Sequence, residues 1–343
     1  MADLKESPAQ GLAALAGRLS PHGPVLVQTH DFPDLDAVAS AWSLGELLRR
    51  RGFSVECVYR GTIRSRSLSR LVEELSFALT NREREEKDAG SQIVVVDGSP
   101  SNGNVQLFPG KLIGVIDHHC STALPSAPYI DIRPELAACS TIIEGYWRDS
   151  GEELPRALAT ALIAGIQSDT DFLSRRASAE DFAAYTALFA RGDFELASRI
   201  VRTVFDLTDL DLVTKALGAA TIKGGIFWAW MPGPCSQEVL AVLAEFVLRT
   251  EELRVAIVAE RGVHLAPNAG GFAANATEDG VHLSVRSKDP RLSAFALVKA
   301  ALMGIGSGGG HDHSAGGFVP DSNFCEEAAL RERFFAIARE FPA

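Results

Sequence analysis

The chain has 343 residues, 46% of them hydrophobic and 22% charged, which is enough apolar material for two domains with cores of their own. Its formal net charge of −11 excludes a protein that grips long nucleic acid through a broad basic face, because that affinity comes from Lys and Arg neutralising many phosphates. A small anionic ligand held at one local site remains compatible with that charge.

Leu and Ala recur at helical spacing over residues 8–19, and His22, Gly23 and Pro24 then break the chain before the apolar run PVLVQTH, a first buried strand. After the loop DFPDLD, residues 37–52 have helical periodicity and end on Gly52. FSVECVYR is a second strand, and residues 67–89 read as a helix whose second half is the solvated charge run NREREEKD. IVVVDGSP is a third strand and KLIGVIDHH a fourth. Strands that alternate with helices and are apolar throughout predict an α/β fold with a parallel sheet, helices on both faces and ligands at the carboxyl ends of the strands. Four helical stretches follow between residues 139 and 206, and a polar helix over 206–222 reads as a connector. Beyond it, strands at GIFWAWMPG, LRVAIVAE and GVHLSVRS, helices near 236–249 and 292–304, a glycine run and a closing amphipathic helix predict a smaller α/β domain with a mixed sheet. The expected division is 1–205, a linker at 206–222, and 223–343.

Cys57, Cys120, Cys139, Cys235 and Cys325 form no CxxC pair, which reads as reduced thiols in a cytoplasmic protein. The N-terminus lacks the pattern of a secretion signal, and no apolar run approaches the length of a membrane span.

The chemistry gathers at strand ends. Asp117, His118 and His119 close the fourth strand, and two adjacent imidazoles behind a carboxylate are costly to bury unless something binds them. His30, Asp34 and Asp36 follow the first strand around a Pro-constrained bend, Asp97 ends the third, and Asp169 ends an Ala-rich helix. Singly each has an ordinary explanation: Asp34 or Asp36 as a helix N-cap, Asp97 as a turn residue before Gly98. Jointly, these carboxylates and imidazoles suit two oxygen-preferring divalent ions, Mn2+ first with Mg2+ or Co2+ as substitutes, sharing a bridging carboxylate. Such a pair activates hydroxide near neutral pH and holds the oxygens of an in-line phosphoryl displacement, so hydrolysis of a phosphate ester or anhydride is the expected reaction.

These segments resemble the DHH phosphoesterase superfamily, which includes RecJ-type exonucleases, bacterial oligoribonuclease and pAp-phosphatase enzymes, and family II pyrophosphatases. Its first motif is matched by His30, Pro33, Asp34, Asp36 and Ala37, its second by Asp97, its third by Asp117, His118 and His119, and its fourth by Asp169. The resemblance implies one ion on His30, Asp34 and Asp97, and another on Asp36, Asp97, His118 and Asp169. It also implies that Asp117 orients the His pair and that His119 faces the scissile phosphate. Leu35 and Ala39 stand where many relatives have Gly, as does Asp171, and Leu35 and Asp171 are expected to reshape the pocket rim.

In the second part, GSGGGHDHSAGG is read as a glycine-rich loop whose backbone N–H groups at Gly308, Gly309 and Gly310 approach an anion closely, with His311 adding a contact. The run resembles the signature of the DHH-associated C-terminal domain, with Ser314 in place of one Ala. Arg286 matches that family's Ser-x-Arg-Ser strand, where the resemblance implies contact with a terminal phosphate or a base. The expected substrate is a short single-stranded oligoribonucleotide or a small nucleotide such as pAp or pApA, with no membrane and no long duplex as partner; relatives in this family are often homodimers. A polyphosphate or pyrophosphate hydrolase is the alternative, and a nucleotide-binding regulator without turnover is a third reading.

Overall fold

The computed structural model describes residues 8–61, 63, 65–82, 90–120, 123–262 and 279–340. The chain falls into two compact units, one made of residues up to Ile63 with Ser67–Thr203, the other built mainly from Val204 onward.

In the first unit, helix α1 (Pro8–Arg18) precedes strand β1 (Val25–Gln28), all of whose residues are buried. Helix α2 (Leu35–Arg50) starts at Asp34, whose carboxylate accepts the Ala37 N–H at 3.0 Å. Then come β2 (Val55–Tyr59), α3 (Arg66–Leu75), β3 (Thr80–Asn81), β4 (Gln92–Val96), β5 (Lys111–Asp117) and β6 (Tyr129–Ile132). Helices α4 (Cys139–Ser150), α5 (Arg156–Thr170), α6 (Ala179–Phe189) and α7 (Phe194–Arg202) complete the unit. The sheet has the order β3-β2-β1-β4-β5-β6, and every pairing in it is parallel. Strand order reverses between β1 and β4, so the crevice at their carboxyl ends is the topological place for a ligand.

Three features depart from the sequence expectations. The third helix stops at Leu75, because Ser76 turns to a φ of 55° and the chain leads into the short edge strand β3; residues 83–89 of the charge run lie outside the described residues. Strand β6, which the periodicity did not predict, is fixed at the other edge by Asp131, which accepts Tyr146 Oη at 2.6 Å and Arg133 Nε and Nη2 at 2.7 and 2.8 Å. Helices were also expected on both faces. The large core under α1, α2, α4 and α5 lies on one face, whereas Leu26, Val58, Ile93, Val95 and Val115 on the other are covered by Val105 and Phe108 of the segment after β4, with no α-helical residue among the buried, described ones there. That segment supplies the apolar cover a helix would otherwise give.

The second unit holds α8 (Leu207–Gly218), β7 (Thr221–Lys223), β8 (Ile226–Met231), α9 (Gln237–Val247), β9 (Val255–Gly262) and β10 (Gly280–Ser287). It ends with α10 (Ala294–Leu302), β11 (Ser307–Gly310), β12 (Ser314–Pro320) and α11 (Glu327–Arg339). Its sheet has the order β11-β12-β10-β9-β8-β7 and is mixed, because β8 and β9 run parallel while the other pairs are antiparallel. One face packs on α10 and α11, the other on α8 and α9. Helix α8, expected as a connector, lies inside this unit, with Ala216 buried beside Phe227 and Met231. No described helix is long and apolar enough to cross a membrane.

Candidate metal centre

The six residues singled out as ligands come together at the carboxyl end of the first sheet. His30 Nε2 lies 3.8 Å from Asp34 Oδ2 and 3.7 Å from Asp97 Oδ2. His118 Nε2 lies 3.2 Å from Asp97 Oδ1, 3.4 Å from Asp169 Oδ2 and 4.0 Å from Asp36 Oδ2. The donor atoms form three overlapping groups: His30 with Asp34 and Asp97, Asp36 with His118 and Asp169, and Asp97 with His118 and His119. Ligands of an octahedral ion at about 2.1 Å are separated by about 3 Å when adjacent and about 4 Å when opposite, and the observed spacings span that range.

Local structure explains how each side chain is aimed. His30 Nδ1 donates to the Asp31 carbonyl at 2.9 Å, and His118 Nδ1 lies 3.4 Å from the Leu136 carbonyl, so both rings present Nε2 to the cluster. Asp97 adopts a φ of 56°, in the left-handed region that Asp tolerates better than most residues, as β4 ends. Asp36 sits fully buried in the first turn of α2 and accepts the Cys139 N–H at 2.6 Å and the Ser140 N–H at 2.8 Å. It thereby caps α4, whose own N-cap residue Ala138 has no capping side chain. Each carboxylate oxygen keeps a second lone pair.

The fit to a cation rests on unpaired atoms. Asp97 Oδ1 and Oδ2, Asp117 Oδ2 and His118 Nε2 are buried without a hydrogen-bond partner. Buried polar groups are rarely left so, and clustered carboxylates repel one another unless positive charge lies between them. Protons supply it in the metal-free protein. Burial alone would lower the two imidazoles, but Asp34 and Asp97 outweigh it at His30, and Asp97, Asp169 and Asp36 do so at His118, pushing each up to about 10. Burial and then the charge of Asp97 push Asp36 up to about 7. Burial, followed by the charges of Asp36 and Asp34, holds Asp169 well above the usual carboxylate range.

Asp117 stands behind this cluster. Its Oδ1 accepts the backbone N–H of His118 at 2.8 Å and of His119 at 3.1 Å, and His119 Nδ1 donates to it at 2.8 Å. That nitrogen is therefore committed to Asp117 and is not a metal donor. Leu35, expected at the pocket rim, is only 4% exposed and packs in the core, so it shapes no rim. Asp171 is the left-handed cap of α5 with a φ of 45°, a conformation that Gly adopts at less cost.

A model of the DHH family N-terminal domain matches residues 24–166, the stretch that carries His30, Asp34, Asp36, Asp97 and the Asp117-His118-His119 run. Over this stretch the chain is similar to DHH-family N-terminal domains. The chain is 32% identical over 313 residues to an uncharacterized protein of Methanocaldococcus jannaschii, covering 90% of itself and 61% of that protein. It is 27% identical over 157 residues to a probable manganese-dependent inorganic pyrophosphatase of Streptococcus pyogenes, covering 43% of itself and 48% of the relative. Among solved structures, an exopolyphosphatase-related protein from Bacteroides fragilis superposes with a TM-score of 0.68 at 13% identity over 100% of both chains. RecJ from Thermus thermophilus, solved with Mn2+, gives a TM-score of 0.56 at 16% identity, covering 99% of this chain and 56% of that one. These two likenesses are of fold. Asp169 lies past the matched stretch, yet α5 brings it into the same cluster.

The residues expected to bind substrate lie in the second unit. The glycine run is not a loop: Ser307–Gly310 forms edge strand β11, joined to β12 by a tight turn in which His311 N–H bonds the Ser314 carbonyl at 2.7 Å. Glycine is required there by close packing, since a Cβ at Gly308 would lie 2.2 Å from Val298 Cγ1 and one at Gly310 2.4 Å from the Ser314 carbonyl. A Cβ at Gly309 would meet nothing within 4 Å. Gly309 pairs with Gly316 and Gly316 with Ser284, which forms a row across three strands on the face that also carries Arg286. Arg286 is held by Glu245 Oε1 at 2.9 Å and Ser284 Oγ at 3.1 Å. His311 is exposed in the turn. Sequence reasoning missed Glu245, Gly165 and the two N–H groups on Asp36; only Gly165, an odd residue in an Ala-rich helix, left a signal in the chain.

Proposed function

We propose that the protein is a divalent-metal-dependent phosphoesterase that hydrolyses short oligoribonucleotides or small nucleotides such as pAp and pApA. The supporting observation is Asp97, which belongs to two of the three donor groups and turns one buried oxygen toward His118 and the other toward His30, as a carboxylate bridging two ions requires. In this assignment His30, Asp34 and Asp97 hold one ion, and Asp36, Asp97, His118 and Asp169 hold the other. When bound, Mn2+ ions supply the charge that lowers the pKa of water and offsets that of the phosphoryl oxygens. Asp117 fixes the His119 ring, which donates to a phosphate oxygen. In the second unit, Arg286, already oriented by Glu245 and Ser284, and the backbone around Gly309, with His311 at the turn, are the proposed substrate contacts. Short substrates accord with a net charge of −11, since only local positive groups are available. Five cysteines without a disulfide accord with the cytoplasm.

A second reading, hydrolysis of pyrophosphate or polyphosphate, is favoured by the likeness to the streptococcal pyrophosphatase. Purified protein with Mn2+ should be offered pAp, pApA, a pentaribonucleotide, pyrophosphate and polyphosphate, beside an Asp97→Ala control. Turnover of nucleotides that the control lacks is expected. Turnover of the inorganic substrates alone would overturn the nucleotide assignment, and nucleotide binding without turnover would point to a regulator.

A further inference from the structure

The turn that joins β6 to α4 carries the backbone groups that aim two of the candidate ligands. The Leu136 carbonyl faces His118 Nδ1, and the N–H groups of Cys139 and Ser140 bind the two oxygens of Asp36. No side chain on the helix itself caps α4. The turn is instead pinned from α6. Asp181 is fully buried, and its carboxylate accepts the Ala137 N–H at 3.1 Å, Thr141 Oγ1 at 2.6 Å and the Ser178 N–H at 2.7 Å.

The bond to Ser178 belongs to an ordinary capping box at the start of α6, in which Asp181 N–H returns to Ser178 Oγ. Stabilising α6 needs nothing more. The bonds to Ala137 and Thr141 do not serve α6. They grip the turn at both ends, one residue from the carbonyl that faces His118 and one residue from the N–H that binds Asp36. A buried carboxylate must be matched by donors, and here two of them come from the element that aims the site. We propose that Asp181 is a positioning residue for the ion assigned to Asp36, His118 and Asp169, acting through residues 136–141. The proposal rests on the metal assignment above. It distinguishes the two ions: His30 is aimed by the Asp31 carbonyl and Asp34 by the Ala37 N–H, and neither bond passes through that turn.

The test is Mn2+ titration by calorimetry, alongside thermal melting, of Asp181→Asn, Asp181→Ala and Ser178→Ala. Each is made in the natural chain, in a His30→Ala background that isolates the Asp36 set, and in an Asp169→Ala background that isolates the His30 set. Loss of an outer hydrogen-bond partner weakens a metal ligand set by about 10- to 100-fold, and that loss is expected for the Asp36 set in both Asp181 variants, with the His30 set changed by less than about 2-fold. Ser178→Ala should lower the melting temperature without changing either affinity. Equal weakening of both sets, unchanged affinity in Asp181→Asn and Asp181→Ala, or the same selective loss in Ser178→Ala would overturn the positioning role. The natural chain answers separately for the metal assignment: if it takes up no Mn2+, that assignment fails and Asp181 has no ion to position.

Discussion

Replacing Gly165 by Ala tests the site through its packing. A Cβ there would lie 2.4 Å from Ser140 Oγ, 2.8 Å from Asp36 Oδ1 and 3.1 Å from Asp36 Cα. Ser140 can rotate away, but Asp36 is tied by the Cys139 and Ser140 N–H groups, and its Cα is backbone. Helices α2 and α5 must therefore part by a few tenths of an ångström, or the carboxylate must leave its donors. Overpacking of this kind costs about 1–3 kcal/mol, while Ala in place of Gly returns about 1 kcal/mol of helix propensity, for a net loss of about 0–2 kcal/mol. In a unit of this size that lowers the melting temperature by at most about 8 °C. Metal affinity should respond more strongly, because a displaced ligand loses about 10- to 100-fold. Calorimetric titration with Mn2+ and a melting curve on one preparation read both effects. A folded Gly165→Ala protein with unchanged Mn2+ affinity would refute the role of Asp36 and the close approach on which it depends.

Other outcomes follow from the same geometry. With His30 and His118 raised to about 10 and Asp36 to about 7, the metal-free site holds protons at pH 7 that Mn2+ must displace; titrations in buffers of different ionisation enthalpy should show net proton release and tighter binding as pH rises. The raised Asp36 contributes stability that is present below its unfolded value near 4 and is lost as pH rises through about 7, and the raised imidazoles lose theirs between about 6.5 and 10. A chelator should therefore lower the melting temperature more at pH 8 than at pH 5, and the reverse order would contradict the cluster. Asp171→Gly relieves a left-handed φ of 45° and should stabilise the protein by about 0.5–1 kcal/mol in urea unfolding. Arg286→Ala should raise KM for pApA while leaving Mn2+ content intact, and Glu245→Gln should do the same more weakly; loss of bound Mn2+ in either would break the assignment of metal and substrate groups to separate units.

The sequence by itself determined the alternation of strands and helices and the residues that carry the chemistry, because apolar runs ending in His and Asp are local patterns. Donor type is also local: oxygen and imidazole groups without thiolate choose the class of ion before any fold is known. Tertiary structure decided what depends on distant parts of the chain meeting. Only there does Asp36 turn out to cap α4 from another helix, Gly165 to be the space that lets it do so, and Asp181 to grip the turn between them. The short edge strands β3 and β6 lack the periodicity that marks a longer strand, and the glycines of β11 read as a loop because the packing that demands them, against Val298 and Ser314, lies outside the run. Periodicity records which face of an element is buried; it carries no record of which neighbour buries it.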